Sequence, residues 1–237
     1  MPARLRPSGA AIRRRPFATA CRGGDRPKPH RLTHHRSAKH EREPYDWYCE
    51  DRWPVEALIS LIEFEGLVYD PCAGRGNIPA AFQAHGFETH ASDIVDRGLW
   101  PGLRQLDFLG AASSAFRVPN VVCNPPYSYQ DGIAEAFVRR ALEIATDRVA
   151  ALVPIKWLGS IGRYALFEEE HPPEAVLIFS ERPSMPPGSK IEALGVRAFR
   201  GGTIDYMWVV WKVGQRLPTV TIWIPPRPEA ERKARRK

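Results

Sequence analysis

The sequence predicts an α/β fold: a mainly parallel sheet with helices on both faces, ending in an antiparallel hairpin. Three observations predict it. Short apolar runs of strand character alternate with helical stretches through the middle of the chain. One such run ends in an acid and passes through a glycine-rich turn into a helix. At 237 residues the chain also has room for one such domain with a substantial core.

The elements follow in order. An apolar helix is expected near 54–64, behind Asp46-Trp47-Tyr48-Cys49-Glu50-Asp51-Arg52-Trp53-Pro54. Leu67-Val68-Tyr69-Asp70 predicts a strand near 66–70, and Asn77-Ile78-Pro79-Ala80-Ala81-Phe82 opens a helix near 77–85. Further strands are expected near 88–93, 104–107 and 119–123, then a helix near 131–146. A strand near 149–154 and a helix near 160–169 come next. Strands near 175–180 and 205–213 form the hairpin, joined by a long loop, 181–204. Trp208 and Trp211 on the last strand read as core residues. No repeats interrupt this order.

The strand near 119–123 runs straight into Asn124-Pro125-Pro126-Tyr127. Two prolines fix φ and remove backbone donors, so the loop is stiff and its carbonyls are aimed. Asn124 can offer a carboxamide oxygen and Pro125 a main-chain carbonyl, two acceptors converging on one point. Tyr127 adds an aromatic face. Two acceptors and a ring suit a planar molecule with an exocyclic amino group, which means a nucleobase. An X-Pro-Pro turn that merely closes a strand is the alternative.

The second motif is Asp70-Pro71-Cys72-Ala73-Gly74-Arg75-Gly76. Glycines let the backbone approach a ligand closely and take up positive φ. Asp70 at the strand's carboxyl end falls in the crevice where open α/β sheets bind ligands. The turn lacks the dinucleotide Gly-x-Gly-x-x-Gly pattern, and no Gly-Lys-Ser/Thr of a phosphate loop follows.

Together, and in this order, the two motifs resemble the S-adenosylmethionine-dependent amino-methyltransferases. The sequence is most similar to the N6-adenine DNA methyltransferases, especially the small phage and prophage enzymes, over roughly Tyr45 to Val213. The resemblance implies a Rossmann-like class I methyltransferase sheet with S-adenosylmethionine bound by Asp70, Cys72, Gly74 and Gly76. It implies DNA as partner, and catalysis by Asn124, Pro125, Pro126 and Tyr127 on an adenine flipped out of the duplex. Asp93, ending the strand Thr89-His90-Ala91-Ser92-Asp93, can accept both ribose hydroxyls; Asp96 competes, and a helix cap is the alternative. Asp107-Phe108 matches the family's pair that receives the cofactor's adenine amine and covers its ring, with an ordinary core Phe as the alternative. Relatives carry Thr-Pro on a segment closing over the cofactor's methionine end; here Glu50-Asp51 stands instead. Ile178-Phe179-Ser180-Glu181-Arg182-Pro183-Ser184 resembles the family's segment near the target base, and Lys190, Arg197 and Arg200 carry charge suited to phosphates.

The net charge of +7 belongs to the ends. Residues 1–43 hold twelve Lys or Arg against three acids, and 226–237 hold six against two. The head lacks apolar periodicity and is rich in Pro and Gly, so it is expected to be disordered. The methyltransferase domain is then 44–225, followed by a basic tail, 226–237. A DNA-gripping arm and a plain solvated extension both suit the head. Four scattered cysteines form no metal spacing, which fits a reduced, cytoplasmic setting. No metal is expected, and no apolar run reaches the length of a membrane span. Neither oligomeric state nor target sequence is legible.

Three rivals stand beside adenine N6 methylation. Cytosine N4 methylation uses the same chemistry, typically with Ser in place of Asn124. RNA or a protein glutamine can be the acceptor at Asn-Pro-Pro-Tyr. A nucleic-acid-binding protein that has lost cofactor binding is the non-enzymatic reading.

Overall fold

The glycine-rich motif follows β1 (Val68–Asp70), an inner strand of the sheet, buried along its whole length and flanked on both sides by parallel strands. The structure, a computed structural model, describes residues 43–110, 116–127 and 129–234. The expectation of a disordered head therefore lies, but for Glu43, outside the described residues, as does the end of the basic tail. Around β1 stand β2 (Thr89–Asp93), β3 (Arg104–Gln105), β4 (Val118–Cys123), β5 (Ala145–Pro154), β6 (Ala175–Phe179), β7 (Tyr206–Lys212) and β8 (Val220–Ile224). Their order in space is β3-β2-β1-β4-β5-β7-β6-β8. β7 alone runs antiparallel, inserted between β5 and β6, which is the expected hairpin. The order reverses between β1 and β4, so a crevice opens at the carboxyl ends of these two strands. Both motifs leave the sheet at that crevice.

Helices cover both faces. α1 (Arg52–Leu61) and α2 (Asn77–Ala84) bury Val55, Leu58 and Phe82 against Val122, Leu152 and Trp208. On the opposite face α3 (Ile133–Ile144) buries Phe137, Val138 and Ala141 against Val121, Val149 and Trp211. α1 starts where it does because Asp51 accepts from the Arg52 N–H at 2.8 Å, an N-cap. Pro79 is tolerated in the first turn of α2, where its missing N–H has no helical partner to lose. Trp208 and Trp211 are core residues, and their indole nitrogens donate to the carbonyls of Pro54 (2.9 Å) and His171 (2.8 Å).

The structure departs from the sequence reading in four places. The expected strand at 104–107 stops at Gln105: Asp107 Oδ1 takes the Leu109 N–H at 3.0 Å and turns the chain. The expected helix at 160–169 is a 3-10 turn, Ile161–Arg163, followed by a π turn, Ala165–Glu170. The loop 181–204 contains α4 (Gly188–Leu194) and a 3-10 turn, Gly195–Phe199. Finally, β8 adds a parallel edge strand beside β6, and α5 (Glu229–Ala234) gives the tail a short helix. Among the described residues no helix is long and apolar enough to cross a membrane.

Candidate active site

Two cavities meet at the Asn124–Tyr127 loop. The first is a cleft over the glycine-rich turn, lined by Trp47, Glu50, Gly74, Asp93, Asp107 and Asn124, among others. The second is a cavity of about 700 Å³ reaching Tyr127, Trp157, Ser184, Met185 and Tyr206. Asp46 and Tyr48 line both. The loop is thus a partition, with Asn124 and Pro126 on one side and Tyr127 on the other.

The cleft is built as a cradle. Gly74 and Gly76 take left-handed φ of 52° and 81°, which other residues rarely adopt. A Cβ on Gly76 would stand 2.1 Å from the Trp100 ring, and one on Gly74 would stand 3.3 Å from Trp47 Nε1. Asp70 is 2 % exposed and accepts from the Cys72 N–H at 3.1 Å. Burial, and then the neighbouring charge of Glu50, push its carboxyl well above 3.8. Asp93 ties β2 to the turn, with Oδ2 accepting from the Gly74 N–H at 2.9 Å. Its Oδ1 accepts from Val95 N–H at 2.9 Å and Arg97 at 3.1 Å, and that guanidinium stacks 4.3 Å over Trp47. Cys72 links the motifs, its thiol donating to the Asn124 carbonyl at 3.3 Å.

Within the loop, Asn124 Nδ2 donates to Glu50 Oε2 at 2.9 Å and to the Tyr48 carbonyl at 3.3 Å. The Tyr127 hydroxyl reaches both Asn124 Oδ1 and the Leu152 carbonyl, the latter at 2.5 Å. Its burial raises the phenol well above 10, so it is a neutral donor. A phenol has one proton to give. A carboxamide oxygen has two lone pairs, so even with that proton given to Asn124 Oδ1 one remains for another partner. The Tyr127 ring stands 6.3 Å from that of Tyr206, at the wall of the second cavity.

The structure gathers Cys72, Gly74, Asp93, Asp107, Asn124 and Pro126 around the cleft, while Asp70 is buried behind the turn and is not part of its lining. Phe108 lines the cleft beside Asp107, 1 % exposed and packed from behind by Tyr69 and Phe137. Asp96 points away, capping the exposed turn at Gly98, while Asp93 occupies the cleft. Gly76 acts through the backbone, as the left-handed residue that starts α2. Of the segment 178–184, Pro183 and Ser184 line the second cavity, and Arg182 is turned to Asp205 at 2.6 Å. Among the described residues no His, Cys, Asp and Glu cluster could hold a metal.

Sequence reasoning placed the strap before α1 near the cofactor but gave its residues no roles. Trp47 lies over the cleft, Asp46 grips the loop and Glu50 touches Asn124. Arg97, which lines the cleft, and Trp100, whose ring lies against Gly76, were also missed. The concentration of aromatic and acidic residues at 45–53 was the available signal.

A donor set for a nucleoside-bearing cofactor is present: two glycines under the backbone, an acid at each strand end, and Asp107 beyond them. Trp47 Nε1 is a buried donor with no partner, set beside Gly74. Such an atom is expected to find a ligand. The cleft holds about 50 Å³, with the Trp47 indole and the Arg97 guanidinium in its lining.

No protein-family model and no curated protein matches the sequence. Solved structures match in fold. One, from work on conversion of a disulfide bond into a thioacetal group during echinomycin biosynthesis, superposes with a TM-score of 0.50 at 12 % identity, over 73 % of this chain and 86 % of that one. A Listeria monocytogenes protein described as a class I S-adenosylmethionine-dependent methyltransferase gives 0.49 at 14 % identity, over 77 % of this chain and 65 % of that one, so under two thirds of its length is spanned. Magnesium protoporphyrin IX methyltransferase from Synechocystis PCC 6803, solved with bound S-adenosylmethionine, gives 0.48 at 12 % identity, over 69 % and 79 %. The likeness is one of fold. With the strand order above, it is a Rossmann-like α/β fold.

Proposed function

We propose that the protein is an S-adenosylmethionine-dependent methyltransferase that methylates the exocyclic N6 amine of adenine in DNA. The observation that carries this reading is the partition: one loop, Asn124–Tyr127, separates a glycine-floored cleft from a second, larger cavity. Group transfer needs two ligands that meet at one wall. The loop's Asn-Pro-Pro-Tyr sequence and its resemblance to the N6-adenine enzymes supply the identity of the acceptor.

The cofactor, when bound, supplies an activated sulfonium methyl group. Gly74 and Gly76 would admit its backbone-hugging part, Asp93 its ribose, Asp107 its adenine amine, and Trp47 Nε1 its carboxylate. The chain's own residues then do the rest. An adenine amine is a poor nucleophile because its lone pair is delocalised into the ring. Asn124 Oδ1 and the Pro125 carbonyl accept its two hydrogens, draw the nitrogen towards sp³ and aim its lone pair at the cleft. Positioning does most of the work. In duplex DNA the base must be extruded first, and the Tyr127 ring at the cavity wall offers a face to stack on. Lys156, Lys190 and Arg200 on the same cavity suit the flanking phosphates.

The test is nucleoside mass spectrometry of DNA from cells expressing the protein, with Asn124→Ala as control. N6-methyladenine is expected from the parent and a rate lower by about 10²–10³ from the variant, with cofactor affinity nearly unchanged. N4-methylcytosine, or methylated RNA or protein alone, would overturn the substrate. Full activity in Asn124→Ala would overturn the role of the loop.

A further inference from the structure

A carboxamide has two edges of similar shape, one that donates and one that accepts. On the reading above, Asn124 must present the accepting edge to the target amine, and something must fix that choice. Its Nδ2 has an acceptor for each proton, Glu50 Oε2 at 2.9 Å and the Tyr48 carbonyl at 3.3 Å. A backbone carbonyl only accepts, so the nitrogen edge belongs on this side.

Glu50 is in turn held from three sides. Its carbonyl accepts from Asn77 Nδ2 at 2.6 Å, at the start of α2. The preceding Cys49 N–H donates to Pro186 at 3.0 Å, and the following Asp51 caps α1. The side chain is 6 % exposed, so it cannot drift away from Asn124 into water. We propose that Glu50 is the positioning residue of the loop, its carboxyl oxygen holding the Asn124 nitrogen so that Oδ1 faces the acceptor amine. The inference rests on the reading that Asn124 receives that amine. It assigns a use to the residue at which this chain departs from its Thr-Pro relatives. Glu50 also lines the cofactor cleft, so holding the cofactor is the competing role.

The full chain carrying Glu50→Gln or Glu50→Leu separates the two. Gln keeps an acceptor at the same reach, while Leu keeps bulk without one. With saturating cofactor, Glu50→Leu is expected to lose about 10²-fold in single-turnover rate, the penalty of a misplaced reacting group. Glu50→Gln should restore that rate to within about tenfold of the parent, a bound set by the same kind of misplacement. Calorimetry should give both variants the parent's affinity for S-adenosylmethionine.

A readout without turnover keeps the inference apart from the functional reading. The Asn124 side-chain amide pair, identified in nitrogen-correlated NMR by its loss in Asn124→Asp, should resist hydrogen exchange in the parent and in Glu50→Gln. It should lose that protection in Glu50→Leu, or in Glu50→Met if Leu does not fold. Unchanged protection in the variant lacking an acceptor overturns the proposal, as does an unchanged rate. Lost cofactor affinity with Asn124 still protected assigns Glu50 to the cofactor instead. If no nucleic acid is methylated by any form, the functional reading fails while the exchange result still decides the contact.

Discussion

One carboxylate oxygen of Asp46 accepts the backbone N–H of Tyr127 at 3.0 Å, and it accepts that of Tyr129 at the same distance. The strap before α1 is thereby clamped onto the loop that divides the two cavities. The clamp has a conformational cost, since Tyr45 and Asp46 both take left-handed φ, 57° and 53°.

Asp46→Ala should therefore leave two loop donors without their charged acceptor. Such bonds contribute about 1.5–3 kcal/mol each where they are dry, and less at this half-buried site. The expected outcome is a stability loss of about 1–3 kcal/mol in urea unfolding. Single-turnover rate should fall more than cofactor affinity does. Asp46→Asn, which keeps an acceptor, should recover part of both. A variant as stable and as fast as the parent would show that the clamp does nothing.

Much of this was legible in the sequence. Strand alternation and the two motifs located the central strands, because buried parallel strands must be apolar on both faces. β8 was not legible, since Val220, Thr221 and Trp223 are exposed and the strand is held from one side only. The helix expected at 160–169 failed locally, with Gly162 inside it and its last turn closing from His171 N–H to the Leu166 carbonyl. At the site, glycines and acids declared themselves through their neighbours along the chain. Glu50 and Asp46 did not, because their partners lie 74 and 81 residues away.

Gly74→Val should abolish S-adenosylmethionine binding while the protein stays folded. Its Cβ would stand 3.3 Å from Trp47 Nε1, with branches projecting into a cleft already narrow. Trp47 fluorescence, compared with that of Trp47→Phe, should change as the parent is titrated with cofactor, because the indole lines the cleft. Calorimetric binding by a folded Gly74→Val protein would remove the glycine turn from the cofactor site.

Glu50 and Asp70 give a stability signature in pH. Burial raises both carboxyls above their ordinary values of 4.5 and 3.8. The folded state then holds protons that the unfolded chain has already released. Their contribution is fully present below those ordinary values and is lost as pH rises from them towards the raised folded values. Glu50→Gln cannot lose that proton, so the difference in Tm between variant and parent should move in the variant's favour as pH increases. A difference in Tm constant across pH would mean that Glu50 ionises in the folded protein as it does in water.

The charges on the second cavity should betray a nucleic-acid partner through salt. Lys156 and Arg200 are exposed on its lining. Phosphate contacts release counterions, so each one lost lowers the slope of log affinity against log salt by about 1. Lys156→Ala with Arg200→Ala should weaken binding to a short DNA duplex at low salt and flatten that slope by about 2. Affinity for S-adenosylmethionine should not change, since neither residue lines the cleft. A mismatch opposite the target adenine should strengthen binding in parent and double variant alike, because it lowers the cost of extrusion and not of phosphate contact. A double variant with the parent's affinity and salt slope would place the nucleic acid on another face of the protein.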